Sequence, residues 1–573
     1  MPDDTGNLKS LNVVLYWHMH QPEYRDLRNG EYHLPWTYLH TIKDYVDMAA
    51  HLENNVDARA VVNFAPVLLE QIDDYAQQLD NYLHHGQALR DPLLSSLAEP
   101  VLSLYDENRL HIIKACLRAN RERLVEPFDV FNTLTEMAEA GLKTPEIIPY
   151  YSVQFFADLL VWYHLAWIGE TVRKSDLRIK KLIKKSEHFT LHDRRLLVEV
   201  IYDIVSNIIP RYKILAESGR IELSMTPYAH PIVPLLIDIK STKQAMPDAE
   251  LPLADNYPGG LERSRWHIKK GIEVFKRYFD FEPKGCWPAE GSICNKTIEL
   301  ISDFGLDWLA SGETVLRNSM GKSGIKPDKC IHEGYQFRDT SATCFFRDDG
   351  LSDLNGFKYS DWHADDAVAN LINHLEKIAG SCATKDNAIV SIILDGENAW
   401  EYYPQNGYYF ISTLYEQLAR HPSVKLTTYS EYLTSHKSRQ QLQDIVSGSW
   451  VFGTFSTWIG EKDKNRAWDM LVEAKKIYDK VLAQSKLSKE EINDAEMQLA
   501  TCESSDWFWW FGEHNSAESV AAFDEQFRLH LSNLYQLLKV EPPDYLSQAF
   551  SFGAGNPVVG GTMLPGQSNN NDR

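Results

Sequence analysis

Eight short runs of apolar and β-branched residues, spread over about 400 of the 573 residues, each break off into polar side chains, mostly acids and histidines. Residues 11–17 lead into His18-Met-His20-Gln21-Pro22, residues 60–62 into Asn63, residues 221–225 into Thr226-Pro-Tyr-Ala-His230, and residues 284–287 into Pro288-Ala-Glu290. Residues 306–310 end at Ser311-Gly-Glu313, residues 343–346 at Arg347-Asp348-Asp349, residues 388–394 at Asp395-Gly-Glu397-Asn398, and residues 425–429 read as the last run. A parallel α/β barrel gathers its chemistry at the carboxyl ends of its strands. A doubly wound sheet also presents polar strand ends, but rarely so many. The pattern therefore predicts an α/β fold, a parallel barrel with one functional face.

Between about residues 66 and 219 the period is helical, as in residues 193–209 with Pro210 as a stop signal. So large a helical insertion exceeds a normal loop and is expected to roof or flank the cleft. Helices return after residue 440: residues 463–484, a capping box at Ser488-Lys-Glu-Glu491, and residues 516–539. The division expected is a catalytic barrel over 1–440, a helical domain over 441–550 that contributes to the cleft, and a disordered tail over 551–573 rich in Gly and Asn.

Fifty-eight basic against eighty acidic side chains give a net charge of −22, which repels phosphate backbones and anionic membranes. Nucleic acid and membrane are thus not expected as partners, whereas neutral sugars are not penalised. Fifteen Trp and 28 Tyr suit a cleft that stacks pyranose faces. The start, Met1-Pro-Asp-Asp, has no apolar core, and the seven scattered cysteines form no CxxC pair. They read as reduced thiols in a cytoplasmic protein. No GxGxxG or Walker sequence calls for a nucleotide, so no cofactor is expected.

Glu290 directly after a strand, beside Trp287 and Pro288, is a rigidly placed carboxylate suited to nucleophilic attack, or else a helix N-terminal acid. Asp395 follows the most apolar strand, a setting that raises a carboxyl pKa as a general acid needs. Two carboxylates on one barrel face are what glycosidic cleavage requires. His18 and His20, with His230 and Asp395, could instead share a divalent metal as in amidohydrolases, or be hydrogen-bonding imidazoles in a polar pocket. We favour the latter and expect no metal. Asp506-Trp-Phe-Trp509-Trp510 reads as a cleft wall, the aromatics at 450–458 and Glu401-Tyr-Tyr403 as core, and Arg347-Asp348-Asp349 as an ion-pair cluster.

Five of these segments together resemble the conserved regions of glycoside hydrolase family 57: His18-Met-His20-Gln21-Pro22, Glu222 to Ile232, Gly285-Cys-Trp287-Pro-Ala-Glu290, Leu394-Asp395-Gly-Glu397-Asn398 and Asp506-Trp-Phe-Trp509. The resemblance implies an incomplete TIM-like (β/α)7 barrel with a helical C-terminal region and a retaining, metal-free mechanism. It implies Glu290 as nucleophile and Asp395 as acid/base, with His18, His20, His230, Trp287, Glu397, Asp506 and Trp509 binding or orienting the sugar. Asp-Gly-Glu-Asn and Ser-Asp-Trp-Phe-Trp-Trp are more similar to the amylase and amylopullulanase group than to the branching enzymes. The expected activity is hydrolysis of α-1,4, and as an extension α-1,6, bonds of starch, glycogen or maltodextrins inside the cell. A 4-α-glucanotransferase or branching-type transglycosylase is the nearest rival, a metal-dependent deacetylase or amidohydrolase the rival of another class, and a non-catalytic glycan-binding protein the third.

Overall fold

A computed structural model describes residues 10–102, 105–325, 330–484 and 486–555. Seven parallel strands form the barrel: β1 (Leu11–Met19), β2 (Ala60–Phe64), β3 (Ile221–Met225), β4 (Gly285–Cys286), β5 (Trp308–Gly312), β6 (Thr343–Arg347) and β7 (Ile389–Asp395). They pair in chain order, and β7 returns to β1 over Asn12–Ile389 through His18–Asp395. The β3–β4 and β6–β7 seams are the thinnest, one residue pair each, Met225 with Cys286 and Arg347 with Ser391. β1 is buried along its whole length, as a strand covered on both faces must be.

The barrel interior is aromatic. Tyr16, Trp287, Trp308, Phe345 and Tyr429 pack there with Val14, Val61 and Ile393. β4 can be only two residues long because Trp308 lies across it: a Cβ at Gly285 would stand 1.8 Å from the Trp308 ring. The eighth expected strand is shortened. Val424–Leu426 pairs with the start of β1, but Thr428 caps a helix over Tyr429–Ser435 whose first side chain plugs the barrel against Phe345, 4.3 Å between ring centres. Two strands carried no recognisable pattern: Tyr335–Phe337 runs antiparallel to β6, and Gln440–Leu442 pairs beside it.

From β2 to β3 the described chain is helical, from Pro66–His85 to Leu191–Glu217. Pro210 does not end the latter helix, which continues seven residues further. Its loss of one backbone bond is carried by a 27-residue helix packed on Pro66–His85. Helices Lys462–Ala483, Lys489–Cys502 and Ala517–Leu537 follow the barrel, the second with the expected capping box. Of the expected tail, residues 551–555 are packed: Ser551 is buried and Gly555 N donates to Asn515 O. Residues 556–573 lie outside the described ones.

The expectation of seven reduced thiols is corrected. Cys330 and Cys382 are joined in a disulfide; the other five are free. Fifty-two residues separate the pair, so spacing gave no sign of it. The fold lays the end of helix Ala364–Ser381 beside the chain before Tyr335. With it goes part of the basis for a cytoplasmic setting. Among the described residues no helix is long and apolar enough to cross a membrane.

Candidate active site

The carboxyl ends of β1 and β7 stand side by side, with His18 in register with Asp395. Gly396 then donates its N–H to His18 O, and a Cβ at this position would meet Met19 Sδ at 2.0 Å. Only glycine lets the Asp395-Gly-Glu397 turn lie this close to β1. Glu397 turns back beneath it, where Oε1 accepts from the Gln21 amide at 3.0 Å and from His20 N at 3.3 Å.

Glu290 follows β4 in a single tight turn, with φ 57° and ψ 25°, a left-handed conformation that a non-glycine residue adopts at a cost. Its backbone carbonyl accepts from Trp450 N, and its Oε2 accepts from the Trp450 indole at 2.9 Å. The Arg347 guanidinium lies 5.0 Å from the centre of the Trp450 ring. Arg347 also pairs with Asp349, as the sequence led us to expect, and with Asp353; Asp348, expected in that cluster, pairs with His332 and caps the helix over Asp349–Phe357.

Three imidazoles line the other wall. His18 Nδ1 meets Asn63 Oδ1 at 2.6 Å, His18 Nε2 meets His230 Nε2 at 3.1 Å, and His230 Nδ1 meets Ser505 Oγ at 2.9 Å. Asn63 Oδ1 can only accept, so His18 carries its proton on Nδ1 and receives from His230 Nε2–H; Ser505 then donates to His230 Nδ1. Burial and the neighbouring His20 push His18 down to about 3, and burial with both other histidines holds His230 well below the usual imidazole range. Both rings are neutral at physiological pH, as this relay requires. His20 stacks on His230 at 3.8 Å and its Nε2 meets Asp506 Oδ1 at 2.8 Å.

His20, His230 and Asp506 bring ligand atoms within 4.8 Å of one another, a spacing a divalent cation could use. Yet His230 has both nitrogens engaged by His18 and Ser505, and His20 Nε2 is engaged by Asp506. Hydrogen bonding already accounts for the cluster. Asp395, the fourth ligand of the amidohydrolase reading, is not among the three.

Asp506 reaches the barrel from the far end of the chain through a buried clasp. Glu503, one turn earlier, accepts from Arg263 Nη2 at 2.7 Å, from His267 Nε2 at 2.7 Å, and from Tyr257. Burial alone would raise Glu503, but Arg263 and His267 outweigh it and hold the carboxyl down to about 2. Ser505 N donates to His230 O, and Ser504 Oγ donates to Asp506 Oδ2.

One cavity is lined by His18, His20, Glu290, Asp395, Glu397 and Asp506, together with Gln21, Tyr24, Asn398 and Trp510. His230 borders it from behind through His20. Trp287 does not line it: fully buried, it packs beneath His18 and against Trp450. Trp509 does not line it either. It faces Trp458, and its neighbour Trp510 takes the cavity position, stacked on Phe523 at 4.8 Å. Trp450, Ser505 and Tyr24 were not singled out from the sequence; Trp450 sits in a stretch read as core.

Burial raises Asp395 to about 6 against the opposing effects of the Asn398 amide, His20 and Arg347. Burial, then the charge of Asp395, raises Glu290 well above the carboxylate range although the Trp450 indole opposes it. Burial, then the charge of Asp395, raises Glu397 as well, so the desolvated pocket favours the neutral form of its carboxyls.

The sequence profile of glycosyl hydrolase family 57 matches residues 14–444. No curated protein matches the chain. Among solved structures, the fold is similar to a branching enzyme from Pyrococcus horikoshii (15% identity, 98% of this chain and 100% of that one, TM-score 0.55). It is similar also to a branching enzyme from Thermococcus kodakaraensis (13%, 92% and 90%, 0.54) and to the α-amylase AmyC from Thermotoga maritima (12%, 92% and 93%, 0.55). A barrel built from these strands, bearing two carboxyls on one face and matched by that profile over most of its length, places the chain in a known group: it belongs to glycosyl hydrolase family 57.

Proposed function

We propose that this enzyme hydrolyses α-1,4 bonds of α-glucans with retention, Glu290 acting as nucleophile and Asp395 as acid/base. The observation that carries the reading is the pair itself: two carboxyls at the ends of different strands line one cavity, both raised by burial. In the first step a Glu290 oxygen attacks the anomeric carbon. The bond to the leaving oxygen breaks as that oxygen takes the proton of Asp395. In the second, Asp395 takes a proton from water, whose oxygen attacks the same carbon and releases Glu290. The reaction draws on the form with the proton on Asp395, and the Trp450 indole N–H favours the anion at Glu290.

His20 with Asp506, and Glu397, present hydrogen-bonding groups to the sugar in the cleaved position, while the His18–His230 relay, its nitrogens engaged, holds the wall that positions His20. His20 Nδ1, buried and without a protein partner, is suited to a sugar hydroxyl. Trp510 supplies a ring face in the role expected of Trp509.

The test is product analysis on maltoheptaose, soluble starch and pullulan for wild type and Glu290→Gln, with a chelator present. Shorter maltooligosaccharides from wild type alone support the reading, and cleavage of pullulan extends it to α-1,6 bonds. Longer chains appearing beside shorter ones would assign transglycosylation. Activity lost to the chelator and kept in Glu290→Gln would overturn it.

A further inference from the structure

The segment that leaves Asp395 serves two cavities. Asp395, Glu397 and Asn398 face the catalytic one, whereas Tyr403, Pro404, Gln405 and Gly407 line a second, of about 260 Å³, against residues 359–365. That volume is just under the roughly 300–1,000 Å³ usual for small-molecule pockets, the scale of one or two rings. It is an aromatic recess. Tyr403 and Phe410 are buried at 5.1 Å between centres, and Tyr359 supports Trp362 edge-on at 5.5 Å.

Two rings of this recess stand in solvent. Trp362 is 46% exposed, the one exposed tryptophan of fifteen, and Tyr409 is 53% exposed. Burying such faces is worth far more than burying a polar side chain, so exposure marks a surface that binds something flat. The rim is polar: His363, Asp365 and Gln405. Gln405, Asn406 and Gly407 hold three successive positive φ angles (47°, 54° and 70°). Asn406 pins that strained turn by donating to Asp47 Oδ2 at 3.0 Å. The turn carries Gln405 to the rim, where its side chain is exposed.

Charge selects the ligand. Asp361, Asp365 and Asp366 flank Trp362 in sequence against a single lysine, Lys358, and Lys174 is held over the rings of Tyr408 and Tyr409. An anionic ligand is repelled; a neutral polyol with a flat apolar face is not. We propose that this recess is a second glucan-binding site, taking one or two glucose units of a polymer through the faces of Trp362 and Tyr409 and the groups at Asp365 and Gln405. The inference rests on the α-glucan reading of the catalytic cavity.

The test compares wild type with Trp362→Ala/Tyr409→Ala, both positions being exposed and distant from the reacting atoms. Kinetics are measured on glycogen and on maltotetraose, and retardation is followed by native electrophoresis through glycogen-containing gels in a Glu290→Gln background. We expect KM for glycogen to rise about tenfold, as loss of ring stacking predicts, with maltotetraose kinetics within twofold of wild type and retardation lost. Equal effects on both substrates, or retardation unchanged, would overturn the proposal. If wild type cleaves no α-glucan, the catalytic reading fails; retardation that disappears with Trp362 and Tyr409 would then still support a glucan site here.

Discussion

His18 Nε2 and His230 Nε2 lie 3.1 Å apart while the far nitrogen of each ring is held by Asn63 and Ser505. The relay has one direction, set by an amide oxygen that cannot donate. Replacing Asn63 with Leu removes that reference. We expect kcat/KM on maltoheptaose to fall about tenfold, the worth of one oriented neutral hydrogen bond in a desolvated site, and the melting temperature to fall as well, because Ser224 and Thr226 lose a buried partner.

The two carboxyl roles separate with activated substrates. Asp395→Asn should lose roughly 10²- to 10⁴-fold on maltooligosaccharides. It should recover much of its first step on a glucosyl donor whose leaving group needs no proton. Glu290→Gln should recover nothing with either. Equal recovery in both variants would reverse or dismiss the assignment.

Burial raises Asp395 to about 6, and Asp395 must hold its proton to act as acid, so activity should fall as pH rises through about 6. Glu290, raised by burial and then by the charge of Asp395, must be anionic to attack, so the acid limb should lie above the ordinary carboxylate range. Trp450→Phe removes the donor that favours that anion, which shifts the acid limb further up and lowers kcat about ten- to a hundredfold.

Glu503 is held at about 2, below the unfolded carboxylate value of about 4.3. Its contribution to stability is therefore complete above that value and is lost as pH falls towards about 2. Arg263→Met leaves Glu503 buried with only His267 and Tyr257 as partners and should cost about 3–5 kcal/mol. It should also loosen Asp506, so that KM rises before the fold is lost; calorimetry and kinetics on one preparation would check both.

Cys330–Cys382 closes a loop of about fifty residues running from before Tyr335 to the turn that precedes β7. Replacing both with Ser should lower stability by about 2–4 kcal/mol. A reductant should lower the melting temperature of wild type and leave the double variant unmoved.

The barrel was legible because each strand's apolar run and polar end are local signals. β4 shows how little is needed: Gly285 and Cys286 suffice because Trp308 fills the space of a longer strand. Glu290, Asp395 and the histidines announced themselves by following strands. Trp450 did not, since nothing in Trp450-Val-Phe-Gly453 distinguishes a ring that reaches a carboxylate from one in the core. The choice between Trp509 and Trp510 depends on the azimuth of one helical turn, which adjacent tryptophans leave undetermined in sequence. Pro210 and Tyr429 went against local rules because packing around them outweighed propensity.

His20 and Asp506 touch across 486 positions. A chain emerging from the ribosome folds from its amino end at about 5–20 residues per second, so the barrel strands are all out well before the clasp at Glu503 can form. The growing polypeptide thus carries both carboxyls for many seconds before Asp506 reaches His20. A product truncated before residue 503 would keep Glu290 and Asp395 yet lack the Asp506 side of their cavity.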